Sequence, residues 1–307
     1  MNAPAIVDRY PTRISRPPEL LPRIDPVTWT ADRSTAPESR TVGSSGAQLD
    51  AAQVEQFETD GFLTVEAVFS DVEVSRLDTA LADMVAATDY DDERRIVEPG
   101  SDSLRSIFDI HRQPGPLADS IADDRLAGVA RQLLVDDVYV HQSRANRKPA
   151  FTGREFQWHS DFETWHAEDG MPQMRCLSAS VALTDNHPWN GPLLVMPGSH
   201  RWFVTCTEPT PPANHEQSLA KQEIGVPDEA RLTELHERCG IEVCTGKAGS
   251  VTFFDCNLMH GSPSNISPAP RRNLFVVFNS IDNAIGEPYS APQRRPHHIA
   301  SRTFSPV

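Results

Sequence analysis

The chain has 307 residues, of which 28 are Lys or Arg and 43 are Asp or Glu, giving a formal charge of −15. This length allows one large β-rich domain or two domains. So negative a charge argues against a basic surface that binds nucleic acid or an anionic membrane. The five cysteines form no paired framework, which is typical of reduced thiols. Because no signal peptide or membrane-spanning run is visible, we expect a soluble cytoplasmic protein.

Residues 1–48 are rich in Pro, Arg, Ser and Thr and show little apolar periodicity. Such a composition is typical of an irregular N-terminal arm. Two interpretations stay open at this point. The segment is either a disordered tail or an arm that lies over the body of the protein.

Residues 49–135 show a helical pattern. A helix is predicted from Asp50 to about Thr59, and Phe62–Val65 reads as a short strand. Ser70 and Glu73 have the spacing of a capping box, which starts a second helix. Apolar residues then recur at helical spacing, at Val74, Leu77, Leu81 and Met84. A further helix is predicted over Asp124–Leu134.

From residue 136 onward the pattern is that of β-strands separated by turn residues. The chain has no helix of crossover length between most of these strands, which favours antiparallel pairing. We therefore predict a mainly β fold with flanking helices, whose core is a double-stranded β-helix of the jelly-roll or cupin type. Residues 49–307 would form a single domain, with a polar insert at about 207–238 that is either a lid or a surface excursion. The predicted strands are Val138–Gln142, Glu155–His159, Met174–Leu183, Leu193–Met196, Ile241–Cys244, Ser250–Asp255 and Leu274–Asn279.

A candidate metal site lies at the end of the second of these strands. His159 and Asp161 are two residues apart, so in an extended chain they project to the same face. His260 follows the strand Ser250–Asp255 and supplies a third ligand. Two imidazoles and one carboxylate on one side of a metal are typical of Fe(II) in oxygen-activating enzymes.

Other polar residues fit a second substrate of such an enzyme. Splitting O2 requires a two-electron donor, commonly a 2-oxo acid that chelates the iron. Its far carboxylate needs a cation and a hydroxyl group, which Arg271 and Ser262 can provide. Polar residues also alternate along one strand, at Gln142, Arg144, Asn146 and Lys148. This row indicates either a solvated edge strand or the wall of a polar pocket.

Several motifs resemble those of a known family. The most specific is the stretch from Trp158 to Pro172, Trp-His-Ser-Asp-Phe-Glu-Thr-Trp-His-Ala-Glu-Asp-Gly-Met-Pro. Others are His141-Gln-Ser-Arg144, Asn190-Gly-Pro-Leu193, Pro197-Gly-Ser-His200 and Met259-His-Gly-Ser262. Together they resemble the ectoine hydroxylases, a branch of the phytanoyl-CoA dioxygenase-like non-haem iron enzymes. The likeness extends over nearly the whole chain.

The resemblance implies that 2-oxoglutarate, O2 and ectoine are converted to 5-hydroxyectoine, succinate and CO2, for protection under osmotic or heat stress. It implies Fe(II) held by His159, Asp161 and His260, and a homodimer. By the same resemblance, 2-oxoglutarate is bound by Asn146, Lys148, Ser262 and Arg271. The substrate contacts are Gln142, Trp165, Phe278 and Arg295. An aromatic ring suits the amidinium of ectoine, and an arginine suits its carboxylate.

Two other functions are compatible with these residues. One is the same chemistry on proline or another small zwitterionic amino acid. The other is a metal-dependent protein that binds a small solute without turnover.

Overall fold

The structure is a computed structural model that describes residues 8–14, 16–29 and 49–307. The remaining part of the predicted arm lies outside the described residues. The α-helices are α1 (Ala51–Asp60), α2 (Asp71–Ala87), α3 (Pro116–Ala122), α4 (Val129–Leu134), α5 (Asp161–Thr164), α6 (His215–Ser218) and α7 (Glu229–Cys239). Single π-helical turns precede α4 at Asp124–Gly128 and follow α5 at Trp165–Asp169.

The strands outnumber those predicted. They are β1 (Leu20–Pro22), β2 (Phe62–Val65), β3 (Arg95–Val97), β4 (Leu104–Phe108), β5 (Val138–Lys148), β6 (Phe156–His159), β7 (Cys176–Ala182), β8 (Leu193–Val195), β9 (Trp202–Val204), β10 (Glu242–Cys244), β11 (Val251–Asp255), β12 (His260–Ser262) and β13 (Arg271–Ser280).

Two antiparallel sheets form the body of the protein. The larger has seven strands in the order β2-β11-β7-β13-β5-β4-β3, and the smaller has four in the order β10-β8-β12-β6. A third pairing joins β1 of the N-terminal arm to β9. Neighbours in both sheets come from distant parts of the chain, as in a jelly roll. The predicted fold class is therefore confirmed, with helices packed outside a double sheet.

The alternation of side chains along the strands separates two apolar layers. On β13, Leu274 and Val276 join the main core beneath the helices, whereas Phe275 joins Val195 and Phe254 between the two sheets. Successive side chains of a strand point to opposite faces, so one strand serves both layers. The helices thus cover one face of the seven-stranded sheet, and the other face is free to build a site.

The helix signals of the sequence correspond to observed helices. Ser70 and Glu73 form the predicted capping box at the start of α2, and Asp50 and Gln53 form another at the start of α1. The prediction missed helices α3 and α5 and five short strands, β1, β3, β4, β9 and β12. These elements are too short to show a period in the sequence.

The described part of the arm lies against the body. Tyr10, Thr12 and Arg13 are buried, and the hydroxyl of Tyr10 donates a 2.9 Å hydrogen bond to Asp25. Among the described residues, no helix has the length and apolar character needed to cross a membrane.

The packing of α2 predicts unequal effects of two alanine substitutions on this helix. Leu77 is 3% exposed within the main core, and Val72 is 77% exposed. We expect Leu77→Ala to lower the free energy of unfolding by about 2–5 kcal/mol, because it removes buried methyl groups and leaves a cavity. Val72→Ala, the control, should change it by less than about 0.5 kcal/mol. Denaturant unfolding measures both, and equal midpoints would contradict this packing.

Candidate metal centre

Two paired strands of the smaller sheet bring the histidines together. His159, the last residue of β6, lies directly opposite His260, the first residue of β12. Their ring centroids are 4.2 Å apart. The antiparallel pairing therefore places two imidazoles side by side although about a hundred residues separate them in the chain.

The third ligand comes from the start of a helix. Strand β6 ends at His159, and Asp161 is the first residue of α5. This corrects the picture of both residues on one strand. Ser160 between them keeps an extended backbone, and the carboxylate still faces the imidazoles. Ligand atoms from all three residues lie within 4.8 Å of one another.

Backbone carbonyl groups orient both imidazoles. Nδ1 of His159 is 2.7 Å from the carbonyl oxygen of Gln157, and Nδ1 of His260 is 2.9 Å from that of Leu258. Because a carbonyl oxygen only accepts, Nδ1 carries the proton in each ring. The unprotonated Nε2 atoms then face Asp161, at 3.6 Å for His159 and 3.8 Å for His260. Such second hydrogen bonds commonly fix metal-binding histidines.

The electrostatics of the three groups suit a metal ion. Burial lowers the pKa of His260 to about 4, and His159 acts in the same direction, so His260 is neutral near pH 7. Burial raises the pKa of Asp161, but the charges of His260 and His159 outweigh it and hold that pKa below its usual range. A metal requires neutral imidazole and ionised carboxylate. The donor set therefore fits Fe(II), which these three residues would hold on one side.

A positively charged cavity lies on one side of the three ligands. Asn146, Lys148, Ser262 and Arg271 all line it. Nη2 of Arg271 donates a 2.5 Å hydrogen bond to Oδ1 of Asn146, whereas its buried Nε has no hydrogen-bond partner. Nζ of Lys148 donates to the carbonyl oxygen of Pro263 at 2.5 Å. The residues predicted to bind 2-oxoglutarate are thus gathered at one place.

The cations of this cavity lack matching carboxylates. Burial lowers the pKa of Lys148 to about 6, with Arg271 and Arg105 acting in the same direction. Burial also lowers the pKa of Arg271 to about 9. Of the cations lining the cavity, Arg105 has a buried ion pair, with Glu98 at 2.8 Å. Such a group of buried cations favours a ligand with more than one negative charge.

One glycine permits the close packing of Lys148. Gly191 has a φ of +77°, a left-handed conformation that residues with side chains rarely adopt. A Cβ atom there would lie 2.6 Å from Cδ of Lys148. The Asn190-Gly191-Pro192 turn is therefore part of the wall behind this cavity.

A second cavity also borders the ligands, and His159 and Arg144 line both cavities. Gln142, Trp165 and Arg295 line the second one. Arg295 is held by Asp169, through Nε at 2.8 Å and Nη2 at 2.5 Å. Three of the four residues predicted to contact the substrate therefore share one cavity.

The fourth residue, Phe278, lies elsewhere. It is fully buried in the main core with Leu274 and Val276, and it does not line either of the two cavities. Phe278 pairs with Val140, on the core face of the larger sheet. The structure thus packs Phe278 in the core and does not bring it together with the other three residues, so its contact with the substrate stays a prediction.

A β-bulge explains how polar residues of β5 reach the site. Val277 pairs with Gln142 and Phe278 pairs with Val140, so His141 is an extra residue on β5. The bulge reverses the alternation of side chains. His141 consequently approaches the site, where its Nε2 is 3.1 Å from Asp169 and its ring lies edge-on to Trp165 at 5.4 Å.

The sequence predicted no role for several residues of the two cavities or for one residue that supports them. The cavity residues include Arg105, Glu168 and Asn214, and Asp169 holds Arg295. Glu168 and Asp169 stand within the motif from Trp158 to Pro172, which was their only signal. The sequence offers no period or spacing that relates Arg105 to a strand more than a hundred residues away.

The insert at 207–238 forms part of the wall of the second cavity. It contains α6 and part of α7, and Asn214, Ser218, Leu219 and Gln222 line that cavity. Its action as a lid stays a prediction.

Comparisons with known proteins agree with this geometry. Residues 57–273 match the family model "Phytanoyl-CoA dioxygenase (PhyH)". The chain is 49% identical to an ectoine dioxygenase of Stutzerimonas stutzeri, covering 98% of this chain and 96% of the relative. It is 50% identical to that of Bordetella bronchiseptica, covering 96% and 92%.

Solved structures give the same result. EctD from S. alaskensis, with 2-oxoglutarate and 5-hydroxyectoine, matches with a TM-score of 0.81 and 46% identity over 96% of this chain and 95% of that one. The form of EctD with bound Fe matches with a TM-score of 0.81 and 45% identity over 98% and 97%.

The three ligands predict how metal binding responds to loss of one imidazole. His260→Ala should weaken binding of Co(II), a spectroscopic substitute for Fe(II), by more than the roughly 10- to 100-fold that loss of an outer partner costs. His236→Ala on α7, an exposed histidine, is the control and should bind as tightly as the unchanged protein. Visible absorption titration measures both. Unchanged Co(II) binding by His260→Ala would contradict the assignment.

Proposed function

The chain belongs to the phytanoyl-CoA dioxygenase family, and from this premise we propose that it is an Fe(II)- and 2-oxoglutarate-dependent dioxygenase that hydroxylates ectoine to 5-hydroxyectoine. One observation carries the proposal. The His159–Asp161–His260 group borders both a cationic cavity and a second cavity lined by Gln142, Trp165 and Arg295. This arrangement gives each of two organic substrates its own cavity beside the metal.

The cationic cavity suits 2-oxoglutarate. Arg271 and Lys148 would bind the far carboxylate of this dianion, with Asn146 orienting Arg271 through their hydrogen bond. Ser262 on β12 would add a hydroxyl donor. Charge-assisted hydrogen bonds of this kind are strong and directional. These residues would thus fix the far carboxylate of 2-oxoglutarate, so that its 2-oxo acid end is placed beside the metal.

The second cavity suits a small zwitterion with a ring. Arg295 would bind the carboxylate, Trp165 would face the cation, and Gln142 would donate to or accept from the ring. Asp169 holds Arg295 by two hydrogen bonds, which reduces the freedom lost on binding. A polar ligand with little apolar surface must be held mostly by such directed contacts.

The residues of the chain contribute position and exclusion of water. A bound Fe(II), with 2-oxoglutarate as the two-electron donor, supplies the oxidising power that inserts one atom of O2 into a substrate C–H bond and the other into succinate. The Nε2 atoms and the carboxylate hold the metal at a fixed place, and Arg295 fixes the substrate relative to it. The insert at 207–238 would shield the target bond from solvent. Positioning of the substrate and exclusion of water are the protein's contributions to the reaction rate.

A homodimer and a cytoplasmic location are also proposed. The homodimer rests on the family likeness, and the location rests on the five cysteines, all of which are unpaired thiols. Residues 49–307 are proposed to act as a single catalytic domain.

The proposed reaction predicts a specific product. Purified protein with Fe(II), ectoine and 2-oxoglutarate should yield a product heavier than ectoine by one oxygen atom, together with an equal amount of succinate. His159→Ala should yield neither, because it removes a metal ligand. Mass spectrometry measures both products.

Two other results would overturn the proposal. Turnover of proline but not ectoine would favour a different zwitterion as substrate. Tight binding of ectoine with no succinate from any zwitterion would favour a binding protein without turnover.

Lys148 predicts that binding of 2-oxoglutarate takes up a proton. In the free protein its pKa is about 6, so at pH 7.5 the amine is mostly neutral. A neighbouring carboxylate raises the pKa of an amine, so binding between the two pKa values takes up a proton. The affinity for 2-oxoglutarate should then fall as pH rises above about 6, with a slope of up to about tenfold per pH unit.

Calorimetry in two buffers of different ionisation enthalpy measures this proton uptake on the iron-loaded protein without O2. Lys148→Met should abolish the uptake, whereas Lys247→Met should retain it, because the Lys247 side chain is 80% exposed and lies outside both cavities. Equal proton uptake by Lys148→Met and the unchanged protein would contradict the prediction.

A further inference from the structure

A buried cluster of three charged side chains borders the second cavity. Arg13 of the N-terminal arm donates to Glu163 from Nε at 3.0 Å and from Nη2 at 2.9 Å. It also donates to Oε1 of Glu168 from Nη1 at 2.6 Å. Exposure is 4% for Arg13 and 2% for each glutamate. One guanidinium thus serves two carboxylates in a site without water access.

The charges of this cluster do not balance. Its other hydrogen-bond donors are neutral, namely the hydroxyl of Thr12 to Glu163 and the amide of Asn214 to Glu168. The nearby cation Arg295 is bound by a different carboxylate, that of Asp169. Within the described residues, the two cations Arg13 and Arg295 therefore face three carboxylates, those of Glu163, Glu168 and Asp169. A buried charge without a counter-ion is costly, and a cationic ligand would remove that cost.

Only one of the two glutamates reaches the cavity. Glu168 lines it together with Trp165 and Arg295, and Glu163 does not line it. Oε1 of Glu168 accepts both hydrogen bonds, from Arg13 and Asn214. Neither bond uses Oε2 of Glu168. The carboxylate is thus held in place by one oxygen, and its second oxygen can accept from a ligand.

We propose that Glu168 recognises the positive charge of the substrate, so that the site selects an amidinium ring bearing a carboxylate over an uncharged ring of similar shape. The proposal rests on the function proposed above and deepens it. Arg295 would bind the carboxylate of the substrate and Glu168 its amidinium, beside the ring of Trp165. The two ends of a zwitterion would then meet opposite charges on one wall, while a neutral ring would leave Glu168 uncompensated.

Two ligands and two variants test this assignment. The ligands are ectoine and 6-oxopiperidine-2-carboxylate, a six-membered lactam that keeps the carboxylate and lacks the cation. Calorimetry on protein loaded with iron and 2-oxoglutarate without O2 gives the dissociation constants. The unchanged protein should bind ectoine at least about tenfold more tightly than the lactam, which is the usual worth of a charge-assisted hydrogen bond.

Glu168→Gln should lose this preference, because the amide keeps the size of the side chain but not its charge. Glu163→Gln is the matched control. This substitution removes an equally buried carboxylate that binds the same Arg13. Because residue 163 does not line the cavity, the variant should keep the preference for ectoine. The dissociation constant of 2-oxoglutarate should stay within about threefold in both variants, which also reports that they are folded.

The outcomes separate the two proposals. Absence of ectoine binding or turnover by the unchanged protein would overturn the proposed function. Equal binding of ectoine and the lactam by an active unchanged protein would overturn the role of Glu168 without any variant. A preference for ectoine that Glu168→Gln retains would also overturn the role of Glu168. So would a preference lost equally in both variants, because that result would assign selection to the net charge of the cluster.

Discussion

The pairing of β6 with β12 is the constraint on which the rest of the site depends. It sets His159 opposite His260, and the carbonyl groups of Gln157 and Leu258 then turn both Nε2 atoms toward Asp161. The pairing is short, because β12 has only three residues. Its register is therefore held by the surrounding double sheet, and a slip of one residue would turn His260 away from the other ligands.

The two cavities differ in charge, and this difference separates their ligands. Lys148, Arg271 and Arg144 dominate the wall of the first, which favours a dianion. The second combines Arg295 with Glu168, which favours a zwitterion. Because both cavities are largely buried, a ligand whose charge does not complement the cavity would lose its hydration without gaining an ion-pair partner. The proposed function thus assigns one cavity to each of two small polar molecules beside the same metal ligands.

The segment from Asp161 to Asp169 contributes residues to both the candidate metal centre and the second cavity. It carries a metal ligand, the aromatic Trp165, and the carboxylates that hold Arg13 and Arg295. A π-helical turn over Trp165–Asp169 changes the direction in which successive side chains project, as such turns often do at functional sites. The described part of the N-terminal arm therefore supports the wall of the second cavity, since Arg13 contacts this segment.

The sequence by itself determined the fold class, the starts of α1 and α2 and the three residues that form the candidate metal centre. Those features depend on local periods, on capping residues such as Ser70, and on a long motif around His159. Only the tertiary structure decided that Phe278 packs in the core, that Asp169 contacts both His141 and Arg295, and that Arg13 contacts Glu168 at the second cavity. A bulge, a strand register and a buried ion pair are set by contacts between distant residues, and no local pattern in the chain records them.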